Sequence, residues 1–252
     1  MTDRPDTKSP KYLQIAEELR AAIESGQYAP GDRLPGENQL KQTHGVALMT
    51  ARQALDVLKN EGVAESRKGK GVFVRAIRPI RRLGVQRLAE ANWGAGHSIW
   101  SADAAGRDLV VDQVEVGEAA ASDRVAEVLG LRTGAAVCTR SRRFALDGKP
   151  VLLSLSSLPA ELVAGSAVTR QDTGPGGTYA RLAELGHKPV RFREEVRSRM
   201  PSAAEARQLE LSPGTPVIRI SRTAYDGDGA AVELNEMTLD AASYVLEYDF
   251  GA

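Results

Sequence analysis

Residues 12–75 decide the fold of the first part of the chain and read YLQIAEELRAAIESGQYAPGDRLPGENQLKQTHGVALMTARQALDVLKNEGVAESRKGKGVFVR. The opening stretch places apolar residues at the spacing of one helical face: Tyr12, Ile15, Leu19 and Ile23. Gly26 follows, and its missing Cβ removes the steric penalty on a left-handed helix cap. The pattern predicts an amphipathic helix that ends near Gly26 and is buried along its apolar face.

A turn and two further helical patterns follow the first helix. The turn contains Pro30-Gly31-Asp32. A short helix is predicted over 37–42 with Leu40 inward, and His44-Gly45 separates it from a longer helix over about 47–60. One face of the longer helix is apolar and is expected to pack on the first helix: Ala51, Leu55 and Leu58.

Two short strands close this region, with a cationic turn between them. Residues 63–66 and 72–74 have strand-like sequences, and Arg67-Lys68-Gly69-Lys70-Gly71 joins them. This order of elements is that of a winged helix-turn-helix, in which the second helix of the motif enters the major groove of DNA. The sequence therefore predicts a DNA-binding domain over residues 8–76.

Ten residues of the predicted helix-turn-helix and wing are candidates for DNA contact: Asn38, Leu48, Met49, Thr50, Arg52, Gln53, Arg67, Lys68, Gly69 and Lys70. Thr50 suits a phosphate, Arg52 a phosphate or a guanine, and Leu48 or Met49 a thymine methyl group. Cations at a wing tip suit phosphates or the negative potential of a minor groove. A solvated surface helix and a solvated charged turn are the alternatives, and the order of the elements favours DNA contact.

These residues resemble the DNA-binding domain of the GntR family of bacterial regulators. The matching motifs are Y-x-x-I-A-x-x-L at 12–19, G-x-x-x-P-G-D-x-L-P at 26–35 with the following Glu37, T-x-R-x-A-L at 50–55 and G-x-G-x-F-V at 69–74. The resemblance implies dimeric, repressor-like binding to a palindromic operator. Ala47-Leu48 stands where the family often has Ser/Thr-Arg, and Asn38 where several relatives have arginine. The operator sequence therefore does not carry over from the family.

An internal repeat organises the rest of the chain. Residues 77–86, which include Pro79, are predicted to be a basic linker. Beyond it, LGLRTGAAVCTRSRRF at 129–144 matches LELSPGTPVIRISRTA at 209–224, and the match pairs Arg142 with Arg222. Each copy has the pattern of a short helix, a glycine turn, an alternating strand and an Asp-Gly hairpin. Two such α-β-β units predict an α+β domain with a pseudo-symmetric sheet over residues 87–252.

This second region resembles the effector-binding UTRA domain of HutC-type GntR regulators, whose fold is similar to that of chorismate lyase. The motifs are R-x-R at 140–142, D-G-K-P-V at 147–151, Y-x-x-L at 179–182, G-x-x-V-E at 229–233 and Y-x-x-x-Y-x-F at 244–250. The resemblance covers about residues 83–250 and implies a mixed sheet and a pocket for a small-molecule effector. The candidate effector contacts are Arg140, Arg142, Ser154, Tyr179 and Glu233.

The chemistry of these residues predicts an anionic effector. Arg140 and Arg142 occupy alternating strand positions, which places both guanidinium groups on one face, suited to phosphate or carboxylate. A surface ion-pair ladder with glutamates of a neighbouring strand is the alternative, and the residues leave both open. Ser154 stands where sugar-binding relatives have an acidic residue, so an amino-sugar phosphate is not indicated. The glycine-rich stretch 172–179 opens a helix and either presents N–H groups to an anion or is a plain connection.

Composition narrows the class of protein. Residues 1–82 hold 15 Lys and Arg against 10 Asp and Glu, and residues 83–252 hold 18 against 23, which favours a polyanionic partner for the first part. The single cysteine, Cys138, excludes a disulfide framework within one chain. Metal-ligand and nucleophile motifs are absent from the sequence, so no metal, cofactor or catalytic residue is predicted. The chain shows no membrane-length apolar run and no secretory signal, so a cytoplasmic location is expected.

The order of the elements predicts a DNA-binding protein, and the two resemblances imply a homodimeric transcriptional repressor that binds double-stranded operator DNA and is released by a small-molecule effector. The alternative is a DNA-targeted enzyme that uses the lyase-like domain catalytically, and only the analogy of fold supports it.

Overall fold

The structure, a computed structural model, describes residues 9–67, 69–75, 79–84, 86–93, 99–100 and 107–249. The chain divides into two compact units. One is formed by residues 1–78 with 211–215, and the other by residues 79–210 with 216–252. Each unit buries an apolar core of its own.

The first unit contains three helices and a two-stranded antiparallel hairpin: α1 Lys11–Glu24, α2 Glu37–His44, α3 Leu48–Asn60, β1 Ala64–Arg67 and β2 Gly71–Val74. The apolar face predicted for α1 is buried at Ile15 and Leu19, and that of α3 at Leu55 and Leu58. The two helices pack together through these faces, and Leu40 of α2 joins the same core. The predicted winged helix-turn-helix is confirmed.

Backbone geometry fixes α3 and the hairpin within this unit. α2 ends at Gly45, whose φ of +62° lies in the left-handed region that glycine adopts without steric cost. The Leu34 N–H donates to the Val72 carbonyl at 2.9 Å, and the Val74 N–H donates to the Asp32 carbonyl at 2.8 Å. These bonds hold the hairpin against the segment that precedes α2, and so fix the position of the turn between β1 and β2.

The described part of the second unit contains eight strands and five helices: β3 Ile80–Leu83, α4 Glu90–Trp93, β4 Leu109–Ala120, α5 Asp123–Leu129, β5 Ala136–Leu146, β6 Lys149–Pro159, α6 Ala160–Val163, α7 Gly177–Glu184, β7 Arg191–Arg199, α8 Ala203–Gln208, β8 Val217–Tyr225, β9 Ala231–Asp240 and β10 Tyr244–Glu247. Six strands form one sheet in the order β4-β5-β6-β9-β8-β7. All neighbours in this sheet are antiparallel.

The predicted repeat is visible in this sheet. α5-β5-β6 and α8-β8-β9 have the same order of elements, and β6 pairs with β9, so the two copies meet at the centre of the sheet. Arg142 on β5 and Arg222 on β8, which the repeat aligns, each lie one strand away from the central pair. The α+β class is confirmed.

Two details differ from the sequence prediction. The six-stranded sheet is antiparallel throughout rather than mixed, and the parallel pairing lies in a separate two-stranded sheet of β3 and β10. Residues 77–86 were expected to form only a linker, but Ile80–Leu83 form β3, because Tyr244–Glu247 supply its hydrogen-bonding partner strand. Pro79 directly precedes that strand, where its missing N–H interrupts no ladder.

The largest core joins the sheet to α7. Phe144 and Ile220 of the sheet lie in one buried cluster with Tyr179 and Leu182 of α7. The first residue of α7 follows Gly176, whose φ is +78°. Packing of α7 against the sheet therefore holds the N-terminal end of this helix over the strands that carry Arg142 and Arg222.

Candidate functional site

Helix α3 carries five of the ten residues predicted to contact DNA. Leu48, Met49, Arg52 and Gln53 are exposed and Thr50 is half-buried, while Asn38 is exposed on neighbouring α2. Met49 is 58% exposed, although it is a large apolar side chain. The N-terminal half of α3 thus presents apolar, polar and cationic groups to solvent, the mixture that reads base edges and phosphates.

Arg52 is held in place by a carboxylate of α2. Its Nε and Nη2 donate to the two carboxylate oxygens of Glu37, each at 2.9 Å. Hydrogen bonding from Arg52 lowers the pKa of Glu37 below its ordinary value, and the same pair raises the pKa of Arg52. The pair with Glu37 holds the Arg52 side chain in one place on the exposed face of α3. Since exposed ion pairs contribute little stability, the pair costs little to break, and the guanidinium can turn to another acceptor such as a phosphate or a guanine.

Of the two cations that the structure describes in the turn of the wing, Arg67 and Lys70, Arg67 turns away from the tip. The Arg67 guanidinium lies over the Phe73 ring at 4.4 Å and donates through Nε to Glu65 at 3.1 Å, so Arg67 folds back along the hairpin. Lys70 is exposed, and Gly69 has a φ of +71°. Lys68 lies outside the described residues.

Arg33 adds a cation beside the wing that sequence reasoning missed. It pairs with Phe73 through an isolated β-bridge and is exposed. Gly71 beside it has a φ of +114°, and a Cβ there would lie 3.0 Å from Arg33 Nε, so a side chain at this position would strain the backbone and crowd the Arg33 guanidinium. Nothing in the linear spacing signals this contact, which depends on the pairing of residues 31–34 with β2.

The second unit encloses a cavity of about 460 Å³ between the sheet and the start of α7. Its described walls come from the sheet, the glycine-rich loop and two residues that precede β4: Ile99, Trp100, Val111, Val114, Arg140, Arg142, Phe144, Gln171, Asp172, Thr173, Gly174, Pro175, Gly176, Gly177, Thr178, Tyr179, Arg222, Glu233 and Asn235. The volume and the mixture of apolar and charged walls suit a small molecule.

Arg140 lines this cavity but uses its guanidinium to hold the chain. It is 1% exposed and donates to the carbonyl oxygens of Val168 and Arg170, and to that of Gln171 at 2.9 Å. Desolvation, with a smaller contribution from the charge of Arg142, lowers its pKa to about 10. Arg140 was predicted to contact the effector, and these bonds make it an anchor for the segment before the glycine-rich loop.

Arg142 is the arginine of R-x-R that remains open to the cavity. Its Nη2 donates to Thr178 Oγ1 at 3.2 Å, and it has no carboxylate partner within 4 Å among the described residues. Desolvation lowers its pKa. The ion-pair ladder instead involves Arg143, whose Nη2 lies 2.6 Å from Asp112. Alternation along β5 thus separates a cavity arginine from a surface arginine.

The glycine-rich loop opens α7 at the cavity. No side chain caps the N-terminus of this helix, and Gly176 precedes it in the left-handed region. A Cβ at Gly176 would lie 2.6 Å from both Ala180 Cβ and the Trp93 carbonyl oxygen, so only glycine fits there. The uncapped helix start lies beside Arg142, an arrangement suited to an anion.

Tyr179 and Glu233 form a buried pair in the cavity wall. The Tyr179 hydroxyl donates to Glu233 Oε2 at 2.8 Å, and both side chains are almost fully buried. Burial raises the pKa of Tyr179 well above its ordinary value, which keeps the hydroxyl protonated and donating. The Glu233 carboxylate is thus a fixed hydrogen-bond acceptor in a cavity wall whose other charged groups include the donors Arg142 and Arg222.

Ser154 does not line the cavity, contrary to the sequence prediction. It lies on the central strand β6 and its hydroxyl donates to Asn235 Oδ1 at 3.0 Å. Asn235 lines the cavity in its place and was not predicted, and neither was Arg222. The repeat that aligns Arg222 with Arg142 is the sequence signal that identifies it.

The described residues show neither a metal-binding cluster nor a membrane-spanning helix. Residues 9–67, 69–75, 79–84, 86–93, 99–100 and 107–249 contain no group of three or more His, Cys, Asp or Glu placed to hold a metal. Within the same ranges, no helix combines the length and the apolar composition that a membrane span requires.

Comparison with known proteins identifies both units. The model of bacterial regulatory proteins of the gntR family matches residues 11–74, and the UTRA domain model matches residues 104–244. An HTH-type transcriptional regulator of Streptomyces coelicolor is 32% identical over 251 residues, which cover 96% of this chain and 93% of that protein. The HTH-type transcriptional repressor NagR of Bacillus subtilis is 27% identical over 226 residues, covering 89% and 88%.

The crystal structure of PhnF from Mycobacterium smegmatis has a TM-score of 0.55 and 29% sequence identity, covering 94% of this chain and 99% of that one. These similar proteins are named as transcriptional regulators or repressors, and the comparisons give no support to the enzyme alternative. Regulators of this family bind DNA, and UTRA domains bind small-molecule effectors. The chain therefore belongs to the GntR family, in the HutC-type group that joins a winged helix-turn-helix to a UTRA domain, and is a DNA-binding transcriptional regulator.

Proposed function

We propose that this regulator is a homodimeric repressor that leaves a palindromic operator when a small anionic effector occupies the cavity of the second unit. The DNA-binding domain is proposed for residues 8–76, as predicted from the sequence. The effector-binding and dimerisation domain, predicted for residues 87–252, is proposed to include β3 of the predicted linker as well. Since the protein acts on chromosomal DNA, we place it in the cytoplasm.

The DNA contacts are proposed for the exposed face of α3 and the wing. Two copies of α3 would enter successive major grooves of one face of the duplex, with half-sites about one helical turn apart or a multiple of it. Met49 and Leu48 are available to thymine methyl groups and Arg52 to a phosphate or guanine, while Lys70 reaches the backbone near the wing.

One observation supports the proposal of an anionic effector. The cavity receives the guanidinium groups of Arg142 and Arg222, and neither donates to a carboxylate among the described residues. The uncapped N-terminus of α7 lies in the same wall and adds a partial positive charge. Buried cations without hydrogen-bonded counterions are costly, so a phosphate or carboxylate is the ligand chemistry that this wall stabilises.

Release requires that the effector bind the two states of the dimer with different affinities. In one state the two α3 helices match the half-site spacing of the operator, and in the other they do not. An effector that binds the second state more tightly lowers operator affinity, at most by the ratio of its affinities for the two states. By the same linkage, operator DNA lowers the affinity for the effector.

The experiment begins with selection of duplexes from a random-sequence pool by the purified full chain, followed by sequencing. We expect an inverted repeat whose half-site centres are separated by about 10 base pairs or a multiple. Anionic metabolites are then screened for release of the chain from that duplex. A single asymmetric site would contradict the dimer model, and release by neutral compounds alone would contradict an anionic effector.

A further inference from the structure

Arg222 is a buried cation that the fold leaves without hydrogen bonds. It lies on β8, has an exposed fraction of 0%, and lines the cavity. Within the part of the chain that the structure describes, none of its three side-chain nitrogens has a hydrogen-bond partner. A guanidinium carries five N–H donors, and buried donors are normally hydrogen-bonded, so Arg222 is exceptional in having none of them satisfied.

The acidic groups near Arg222 are already engaged. The closest carboxylate oxygen, Glu194 Oε1, lies 3.9 Å from Arg222 Nη1. Glu194 itself accepts hydrogen bonds from both terminal nitrogens of Arg82. Glu233, the other carboxylate of this region, accepts from Tyr179. Neither group therefore neutralises Arg222 by a direct hydrogen bond.

Aromatic rings support the Arg222 guanidinium on its apolar side. Its central carbon lies 5.6 Å from the centroid of the Trp100 ring and 5.7 Å from that of the Tyr179 ring. Such contacts stabilise a cation and orient its plane, but they satisfy no N–H donor. The rings hold the guanidinium in the cavity wall, where its three nitrogens are buried and have no acceptor among the described residues.

The sheet register separates this cation from Arg142. Arg222 pairs with Asn235, Asn235 with Ser156, and Ser156 with Arg140, so Arg222 lies three strands away from β5. At ~4.8 Å per strand, the two strands are about 14 Å apart. Asn235, which lines the cavity, lies between them. The two arginines therefore enter one cavity from opposite halves of the repeat.

We propose that Arg222 forms a second anion site, and that the effector is a small molecule with two separated acidic groups. This inference rests on the proposed function of the cavity. One acidic group binds at the first site, formed by Arg142, Thr178 and the start of α7, and the other binds at the Arg222 site. Asn235 faces the polar stretch of ligand between them.

The test uses crystals of the full chain soaked in selenate, a tetrahedral dianion with the shape of sulfate and phosphate, whose selenium is located by anomalous scattering. We expect two anomalous peaks in the cavity, one at each site. Arg222→Met should lose the peak at the second site and retain the first, and Arg142→Met should do the reverse. Arg219→Met is the matched control, because Arg219 lies on the same strand, is paired with Glu236 and is outside the cavity.

Thermal melts in sulfate and in chloride at equal ionic strength give the corresponding solution readout. Sulfate should raise the melting temperature of the wild type and of Arg219→Met, and should raise that of Arg222→Met less, since affinity at the second site falls about tenfold or more when a charged donor is lost. Without sulfate, Arg222→Met should melt at or above the wild-type temperature, because an apolar side chain of similar length replaces a buried guanidinium whose N–H donors have no acceptor.

The outcomes separate the two proposals. A selenate peak at the first site alone, in the wild type, overturns the second site and leaves the proposed function standing. A lower melting temperature for Arg222→Met with an unchanged sulfate response also overturns it, since Arg222 would then be structural. The absence of any peak in the cavity contradicts the anionic effector itself.

Discussion

Arginines in the two units of this regulator have opposite surroundings. On the α3 face, Arg52 is exposed and bound through two hydrogen bonds to Glu37. In the cavity, Arg142 and Arg222 lie against the sheet without a hydrogen-bonded carboxylate among the described residues. Water screens the first kind of cation and makes its partner exchangeable, whereas burial, complete at Arg222 and partial at Arg142, weakens the screening of the second kind. We propose that DNA meets the first kind of cation and the effector the second.

Arg140 shows that burial alone does not make an arginine a ligand site. It is as buried as Arg222, but its two terminal nitrogens donate to backbone carbonyl oxygens. The hydrogen-bond partner, rather than the depth, distinguishes an anchoring arginine from one that is available to a ligand. The predictions below test that distinction, beginning with the largest effect.

The first prediction is that Arg140→Met destabilises the second unit more than any cavity substitution. Three carbonyl oxygens lose their donor, and unmet buried acceptors cost about 1–3 kcal/mol each, so we expect a loss of about 3 kcal/mol or more. The melting temperature of the second unit should fall by roughly 6–12 °C. Arg143→Met, which removes a surface pair with Asp112 on the same strand, is the control and should melt close to the wild type. Equal melting of the two variants would refute the anchoring role.

The second prediction is that Arg52→Ala lowers operator affinity by about tenfold to a hundredfold at fixed salt, because a contact to phosphate or guanine is lost. Fluorescence anisotropy with the selected duplex measures the change. Arg20→Ala is the matched control, since Arg20 is also ion-paired, with Glu61, in the same unit. If both variants bind like the wild type, α3 does not dock through Arg52.

The third prediction concerns the exposed apolar residues of α3. Met49→Ala should lower operator affinity by about fivefold, the equivalent of about 1 kcal/mol, through loss of contact with a thymine methyl group. Replacing each thymine of the duplex in turn by deoxyuridine removes that methyl group without other change. One such replacement should weaken the wild type and leave Met49→Ala unaffected. If every replacement weakens both proteins equally, Met49 reads no methyl group.

The smallest effect is expected at an exposed pair of the second unit. Arg199 donates to both oxygens of Glu205 at 2.7 and 2.8 Å, and these bonds lower the pKa of Glu205 from 4.5 to about 2. Because the pKa of Glu205 is lower in the folded than in the unfolded state, the ionised carboxylate stabilises the fold at pH values above 4.5. This stabilisation is lost as the pH falls towards 2. Glu205→Gln should therefore cost less than about 1 kcal/mol near neutral pH, and the difference should shrink in acid. Urea unfolding of the wild type and Glu205→Gln, near neutral pH and in acid, measures the difference in their free energies of unfolding. If that difference grows in acid, the carboxylate is not its cause.

The contrast between the units also explains what the sequence predicted well. The winged helix-turn-helix depends on local patterns: the spacing of Ile15 and Leu19, the break at Gly45, and the glycines of the wing. The exposed face of α3 follows directly from its buried face, because the helical period determines both. The α-β-β repeat was likewise visible as a match between two segments.

The cavity was predicted less completely, because its properties depend on contacts between distant segments. The carbonyl oxygens that accept hydrogen bonds from Arg140 belong to the segment 168–171, and the side chain that accepts from Ser154 is that of Asn235. β3 becomes a strand only because residues 244–247 pair with it. Periodicity places a residue on a face, but it does not identify which polar atoms of another segment will meet it there.

The division of labour between the two units is tested most directly by one titration. Fluorescence anisotropy of the selected operator duplex is measured with the wild type, Arg52→Ala and Arg142→Met at a single salt concentration. The account predicts that Arg52→Ala binds at least about tenfold more weakly, while Arg142→Met binds within about twofold of the wild type. Weakening of Arg142→Met to the level of Arg52→Ala, or wild-type affinity in Arg52→Ala, would contradict it.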